Sequence, residues 1–284
     1  MRLGAHVPTG GRPAGAIDSA LARSCEAFQI FASNPRAWAP PRLTDEAAEE
    51  FRRRRAESGL GPAFAHSSYL VNIASPDASF RGRSLVLARA ELEAVAALGA
   101  DGLVVHAGAG GAGERAEALA RAADSVRGIL GPGDGPPVLL ELTAGGSGTV
   151  ASTIPQAAEL VEALDGHPRV GLCLDTCHLF AAGYALDAAD GVAAAADELH
   201  AHGLISRVRL VHANDARDPR GSRRDRHEHP GRGFIGEEGF RAILARPELR
   251  ETAVLVETRG KTDDHRRDVE TLRRLAGLAT AGRG

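Results

Sequence analysis

The chain has 284 residues and a formal net charge of −3, and 43% of its residues are hydrophobic. That length suits one large α/β domain with a sizeable core, and no apolar run approaches the roughly 20 residues of a membrane span. Three cysteines (Cys25, Cys173 and Cys177) are too few for a disulfide framework, and the N-terminus lacks the basic and apolar regions of a secretory leader, so a cytoplasmic protein is expected.

Short apolar runs at residues 2–7, 27–31, 62–66, 102–106, 137–141, 170–175, 208–212 and 253–257 predict strands. Amphipathic stretches at 44–58, 84–98, 114–130, 155–164, 188–200, 237–244 and 263–275 predict helices between and after them. In the second, Leu85, Ala88, Leu92 and Val95 share a face and Gly99 supplies the stop; in the last, Val269, Leu272 and Leu275 are in register. About eight strand–helix units predict an α/β fold of the (β/α)₈ type, a TIM barrel. It would be a single domain over residues 1–277, followed by a short flexible tail at 278–284. A doubly wound sheet is the alternative, because strand order is not written in the pattern. The segment 213–234 is long and rich in Gly, Arg, Asp and His, as functional loops are.

The strands end in an unusual way. His66, His106, Glu141, Asp175, His212 and Glu257 each close an apolar run; His178 follows Asp175 by three residues, and Asp225 and His227 lie in the long loop. Barrel strands deliver their C-terminal ends to one mouth, so these nine residues converge. Any one histidine is ordinarily a satisfied core or loop residue, but five imidazoles and four carboxylates crowded together without a cation are strongly unfavourable. Zinc accepts both donor types, and the set is too large for one ion but sufficient for three if one carboxylate bridges. Three divalent ions would carry the net charge to about +3, which readmits a polyanionic partner that −3 disfavours.

Period-two alternation supports the inward direction of most of these groups. Pointing Glu141, Glu257 and His106 inward leaves Val138, Leu140, Val254, Val256, Leu103 and Val105 for the helix layer, and Asp175 inward does the same for Leu172 and Leu174. One strand conflicts: His212 inward sends Arg209 toward the helices. Other signals are weaker. The glycines at 108, 110 and 113 match a dinucleotide fingerprint, but no acidic strand end follows about 20 residues later, and a flexible loop is the better account. His200 and His202 diverge on a helix, His167 and His265 have no partner pattern, and Cys173 and Cys177 read as structural.

Several segments together resemble the endonuclease IV family: Gly4-Ala5-His6-Val7, Phe28-Gln29-Ile30-Phe31, Asn34-Pro35-Arg36-Ala37-Trp38, and Ala65-His66-Ser67-Ser68-Tyr69-Leu70-Val71-Asn72. So do Leu174-Asp175-Thr176-Cys177-His178-Leu179-Phe180-Ala181-Ala182-Gly183-Tyr184, His212-Ala213-Asn214-Asp215 and Asp225-Arg226-His227. The matching segments run in family order from about residue 3 to 260. The resemblance implies a xylose isomerase-like TIM barrel and an apurinic/apyrimidinic endonuclease of base-excision repair carrying three Zn²⁺ ions, with Mn²⁺ able to occupy part of the site. It assigns one ion to His66, His106 and Glu141, a second to Glu141, Asp175, His212 and Glu257, and a third to His178, Asp225 and His227, with Glu141 as the catalytic carboxylate. It also implies that Arg36, Tyr69 and Leu70 enter the minor groove of double-stranded DNA at an abasic site; a monomer is expected, since it suits enclosing bent DNA. Pro8, Leu142 and the pair His229-Pro230 depart from the family pattern without removing a ligand.

Two other functions fit parts of the pattern. A sugar isomerase or epimerase on a related barrel would use one ion at Glu141, Asp175, His212 and Glu257, and would leave the remaining histidines without purpose. A non-catalytic DNA-damage or metal-binding module would not need the open coordination positions that this ligand set provides.

Overall fold

The computed structural model describes residues 1–278. Eight parallel strands close into a barrel: β1 (Arg2–His6), β2 (Ala27–Phe31), β3 (Ala63–His66), β4 (Leu103–His106), β5 (Val138–Glu141), β6 (Val170–Asp175), β7 (Val208–His212) and β10 (Ala253–Val256). Each pairs with its sequence neighbours, and β10 returns to β1, so the expected (β/α)₈ architecture holds and the doubly wound alternative does not. A two-stranded antiparallel ribbon, β8 (Asp215–Ala216) and β9 (His227–Glu228), stands in the loop after β7.

Nine α-helices are described: α1 (Gly15–Leu21), α2 (Asp45–Ser58), α3 (Ala78–Leu98), α4 (Arg115–Leu130), α5 (Ile154–Ala163), α6 (Thr176–Ala182), α7 (Ala189–Ala201), α8 (Gly236–Leu244) and α9 (Thr262–Leu275). The predicted strands and helices all appear. The α3 helix starts six residues before its predicted point because Asp77 caps it, accepting from Phe80 N at 2.9 Å, although 78–83 lacks apolar periodicity. The helices α1 and α6 were not expected from the pattern. Each has seven residues, and α6 follows β6 without a gap because Asp175 is at once the strand end and the helix cap. The tail expected at 278–284 lies outside the described residues apart from Leu278. Among the described residues no helix is long and apolar enough to cross a membrane.

Two apolar layers follow from the alternation. Ala27, Phe64, Val104, Leu139, Cys173, Leu210, Ala253 and Leu255 fill the barrel interior. Their strand neighbours, among them Phe28, Leu103, Val105, Leu140, Leu172 and Val254, face helix residues such as Ile17, Phe51, Leu92 and Ile129. Burying each such Leu or Phe contributes about 1.5–3 kcal/mol. Gly4 is required by close approach: a Cβ there would lie 1.7 Å from the Ala27 carbonyl oxygen across the β1–β2 pair.

The conflict at Arg209 resolves through a bulge. Leu172 pairs with Val208 while the next residue, Cys173, pairs with Leu210, so Arg209 is the extra residue and is exposed. Val208 therefore joins the outer layer while Leu210 and His212 point inward. The expectation that Arg209 faces the helices is thus corrected. Its stem lies against Gly171, where a Cβ would sit 3.2 Å from Arg209 Cγ.

Candidate metal centre

Strand register places the chemistry. It aligns His106 with Glu141 and Asp175 with His212, so each pair sits side by side at the C-terminal mouth. His66 ends β3, and Glu257 lies one residue beyond β10. The start of α6 brings His178 over the same mouth, because Asp175 Oδ1 accepts its backbone N–H at 3.0 Å. The β8–β9 segment delivers Asp225 and His227.

Donor atoms of these residues fall into three groups, within each of which all lie within 4.8 Å of one another: His66, His106 and Glu141; Glu141, Asp175, His212 and Glu257; and His178, Asp225 and His227. Glu141 joins the first two. Its Oε2 is 3.1 Å from His66 Nε2 and 3.3 Å from His106 Nε2, while Oε1 is 3.1 Å from His212 Nδ1. His212 Nδ1 is also 3.2 Å from Glu257 Oε2 and 3.9 Å from Asp175 Oδ2. In the third group Asp225 Oδ1 is 3.3 Å from His178 Nε2 and 3.0 Å from His227 Nε2.

The other ring nitrogens are already committed. His66 Nδ1 donates to the Ser67 carbonyl at 2.7 Å, His178 Nδ1 to the Leu142 carbonyl at 2.9 Å, and His212 Nε2 to Gln29 Oε1 at 3.0 Å. The nitrogen left over in each ring then faces carboxylate oxygen with a lone pair, an arrangement that a cation satisfies. His178 Nε2 and His227 Nε2 are buried with no hydrogen-bond partner among the described residues. The donor set therefore fits metal ions. Without them, protons must take their place. Burial presses His66 and His227 toward the neutral form, yet the nearby carboxylates outweigh it and lift both to about 9. Burial would likewise raise Glu141, but His212 and His106 hold it well below the ordinary carboxylate range.

Supporting residues complete the site. Gln29 Nε2 donates to Glu257 Oε1 at 2.6 Å, and His6, aligned with Gln29 by register, lies 3.4 Å from the same oxygen. Asn214 donates to Asp175 Oδ2 at 2.7 Å and accepts from Glu257 N at 2.8 Å. Asp215, fully buried, accepts backbone N–H groups from Ala216, Gly231, Gly233, Ile235 and Gly236 at 2.8–3.2 Å and so folds the loop that carries Asp225 and His227. The sequence signal was available for His6, another strand-ending histidine, and by alternation for Gln29. It was weaker for the two loop residues.

Cys173 and Cys177 also come near these donors. Burial raises both thiols, which disfavours the thiolate a metal needs, so the structural reading of the pair stands. His265, which had no partner pattern, is a buried core residue that accepts from Arg23 and donates to the Thr258 carbonyl. Of the departures from the family pattern, Leu142 serves through its carbonyl, and His229 ties its loop to Asp268 at 2.8 Å.

Around the mouth, Arg36 and Tyr69 are exposed and Leu70 is partly exposed, on the loops after β2 and β3. Tyr69 packs edge-on against Phe31 with ring centroids 5.1 Å apart. A cleft of about 310 Å³ lined by His106, Thr143, His178, Arg223 and Asp225 opens on one side, and another of about 650 Å³ lined by His6, Phe31, Asn34 and Arg42 on the other. The glycine-rich 108–113 segment bridges to the loop after β5, with Gly110 N donating to the Gly148 carbonyl at 2.7 Å.

Comparison with known proteins agrees with this picture. The profile of the family described as "Xylose isomerase-like TIM barrel" matches residues 17–275. "Probable endonuclease 4" of Methanoculleus marisnigri is 40% identical over 282 residues, covering 98% of this chain and 99% of the relative. The protein of the same description from Streptomyces avermitilis is 38% identical, covering 96% and 89%. The crystal structure of endonuclease IV from Thermus thermophilus superposes with a TM-score of 0.87 at 34% identity, covering 98% of this chain and 99% of that one. A D-tagatose 3-epimerase-like protein shares the fold at a TM-score of 0.75 and 18% identity, covering 98% and 97%. The chain belongs to the endonuclease IV family, hydrolases that cut DNA.

Proposed function

We propose that this protein is an apurinic/apyrimidinic endonuclease that hydrolyses the phosphodiester 5′ to an abasic site in double-stranded DNA and leaves a 3′-hydroxyl. The observation that carries the reading is the set of three donor groups at one mouth, two of them joined through Glu141. A single-ion isomerase would need only Glu141, Asp175, His212 and Glu257, and His66, His106, His178, Asp225 and His227 would then have no role.

His66, His106 and Glu141 would hold one zinc ion, Glu141, Asp175, His212 and Glu257 a second, and His178, Asp225 and His227 a third, with Mn²⁺ an acceptable occupant of part of the set. Bound there, divalent ions acidify water and neutralise charge on the phosphoryl and leaving oxygens. The chain's own residues do the rest. Glu141 turns Oε2 toward His66 and Oε1 toward His212, so one carboxylate would serve both of its donor groups. Gln29 and Asn214 orient His212, Glu257 and Asp175. Arg36, Tyr69 and Leu70 stand on the rim where a duplex would lie, and an abasic nucleotide is extruded at lower cost than a paired one because it has no base to unstack. The buried, unpaired cysteines suit a reducing cytoplasm, and the mouth is complete within one chain, which suits a monomer.

The deciding assay incubates zinc-loaded protein with a duplex carrying one abasic site. Nicking should leave a 3′ end that a polymerase extends, and metal analysis should find close to three zinc ions per chain. An intact duplex, or one ion per chain with sugar epimerisation, would reject the reading.

A further inference from the structure

Not every buried carboxylate belongs to the donor groups. Glu91, on α3, is fully buried, and its neighbours on the inner face of that helix are Leu87, Ala88, Leu92 and Val95. A carboxylate among apolar side chains is costly, and burial lifts this one to about 7. An apolar residue would serve the core better.

What Glu91 holds explains its presence. Its Oε1 accepts from Ser33 Oγ at 2.6 Å and from Ser68 N at 3.1 Å, while Oε2 has no partner among the described residues. Ser33 belongs to the loop after β2 that carries Arg36, and Ser68 to the loop after β3 that carries Tyr69 and Leu70. The two loops are laced to each other at the same place: Ser68 Oγ and Tyr69 N both donate to the Pro35 carbonyl, at 3.0 and 3.2 Å, and Leu70 N donates to Ser68 Oγ at 3.2 Å. A single oxygen on a rigid helix thus fixes the roots of both loops.

We infer that Glu91 is a positioning residue that sets Arg36, Tyr69 and Leu70 in the arrangement that engages the duplex. This rests on the reading of the chain as an abasic-site nuclease. Glu91 belongs to none of the donor groups and its hydrogen bonds go to Ser33 and Ser68 at the loop roots, so its loss should weaken substrate binding and spare the chemical step. Because both donors fall on Oε1, glutamine retains the acceptor that matters and leucine does not.

The test measures steady-state nicking of an abasic duplex by the full-length zinc-loaded chain and its variants. E91L should raise KM about tenfold with kcat within about twofold, the signature of lost binding that is uniform along the reaction. Its zinc content should match wild type. E91Q should restore KM to within about twofold, and S33A, at a partly exposed position, should raise KM about threefold. Wild-type KM in E91L, a loss confined to kcat or to zinc content, or an E91Q variant as impaired as E91L would overturn the inference. If E91L does not fold, an unchanged KM in S33A overturns it alone. Failure of the wild-type protein to nick the duplex would instead reject the functional reading itself.

Discussion

His212 donates its Nε2 proton to Oε1 of Gln29 at 3.0 Å, which leaves Nδ1 as the nitrogen turned toward Glu141 and Glu257. Gln29 also donates to Glu257, so one amide orients two donors of the same group. Gln29→Ala should lower divalent-metal affinity about 10–100-fold, the usual scale for losing such a partner. Competition against a chromophoric chelator measures it, and wild-type affinity would mean that another contact fixes the imidazole.

Glu141 is the hub of two donor groups. Glu141→Ala should reduce nicking about a hundred- to a thousandfold, the scale of losing a key charge-stabilising partner. Its metal content should fall as well. A variant that nicks at full rate would remove Glu141 from the mechanism.

Chelation tests the centre as part of the fold. Four carboxylates meet at the mouth, and ions that bind the folded chain alone stabilise it by mass action, about 2.7 kcal/mol at a hundredfold excess over Kd. Stripped protein should melt several degrees lower, and zinc should restore both Tm and nicking. An unchanged Tm would show that protons replace the ions without loss.

Tyr69 is 59% exposed. Tyr69→Ala should therefore shift stability by no more than about 0.5 kcal/mol. It should nevertheless weaken binding of the abasic duplex about tenfold, within the range for an aromatic contact with a nucleotide. Titration by fluorescence anisotropy separates the two effects, and equal loss of affinity for undamaged duplex would argue against a role at the lesion.

Burial lifts the Glu91 carboxyl from its ordinary 4.5 to about 7, against the donors Ser33 and Ser68 that pull it down. A folded value above the unfolded one means that this group's stabilising contribution is complete below about 4.5 and is lost as pH rises through about 7. The shift bounds that loss at about 3 kcal/mol. Glutamine does not titrate, so the stability of E91Q relative to wild type should rise between pH 5 and 8. Denaturant midpoints across that range check it, and a constant difference would contradict the assignment.

The eight strands and the convergence of their ends were legible because alternation and strand-ending His, Asp and Glu are local signals. Leu139 beneath Glu141, Cys173 beneath Asp175 and Leu255 beneath Glu257 all point inward as the period-two pattern requires. The pattern failed at Arg209 because a bulge inserts one residue, and pairing register is a property of two strands rather than one. The grouping of nine donors into three sets came from resemblance, since spacing along the chain does not say which strands are neighbours. Glu91 escaped notice, and Asp215 stood only in a family-like segment with no role read for it, because each acts by gathering donors from distant segments.

The Asp215 clasp gives the centre a hierarchy. Six of the nine donors stand at or beside the ends of interlocked strands, whereas Asp225 and His227 ride on a segment whose shape depends on one anion and five backbone amides. An ion held by His178, Asp225 and His227 would thereby detach more readily than ions held by the strand-end donors. Progressive chelation should empty it first, and an enzyme depleted in this manner would retain its barrel while losing one corner of its reactive mouth.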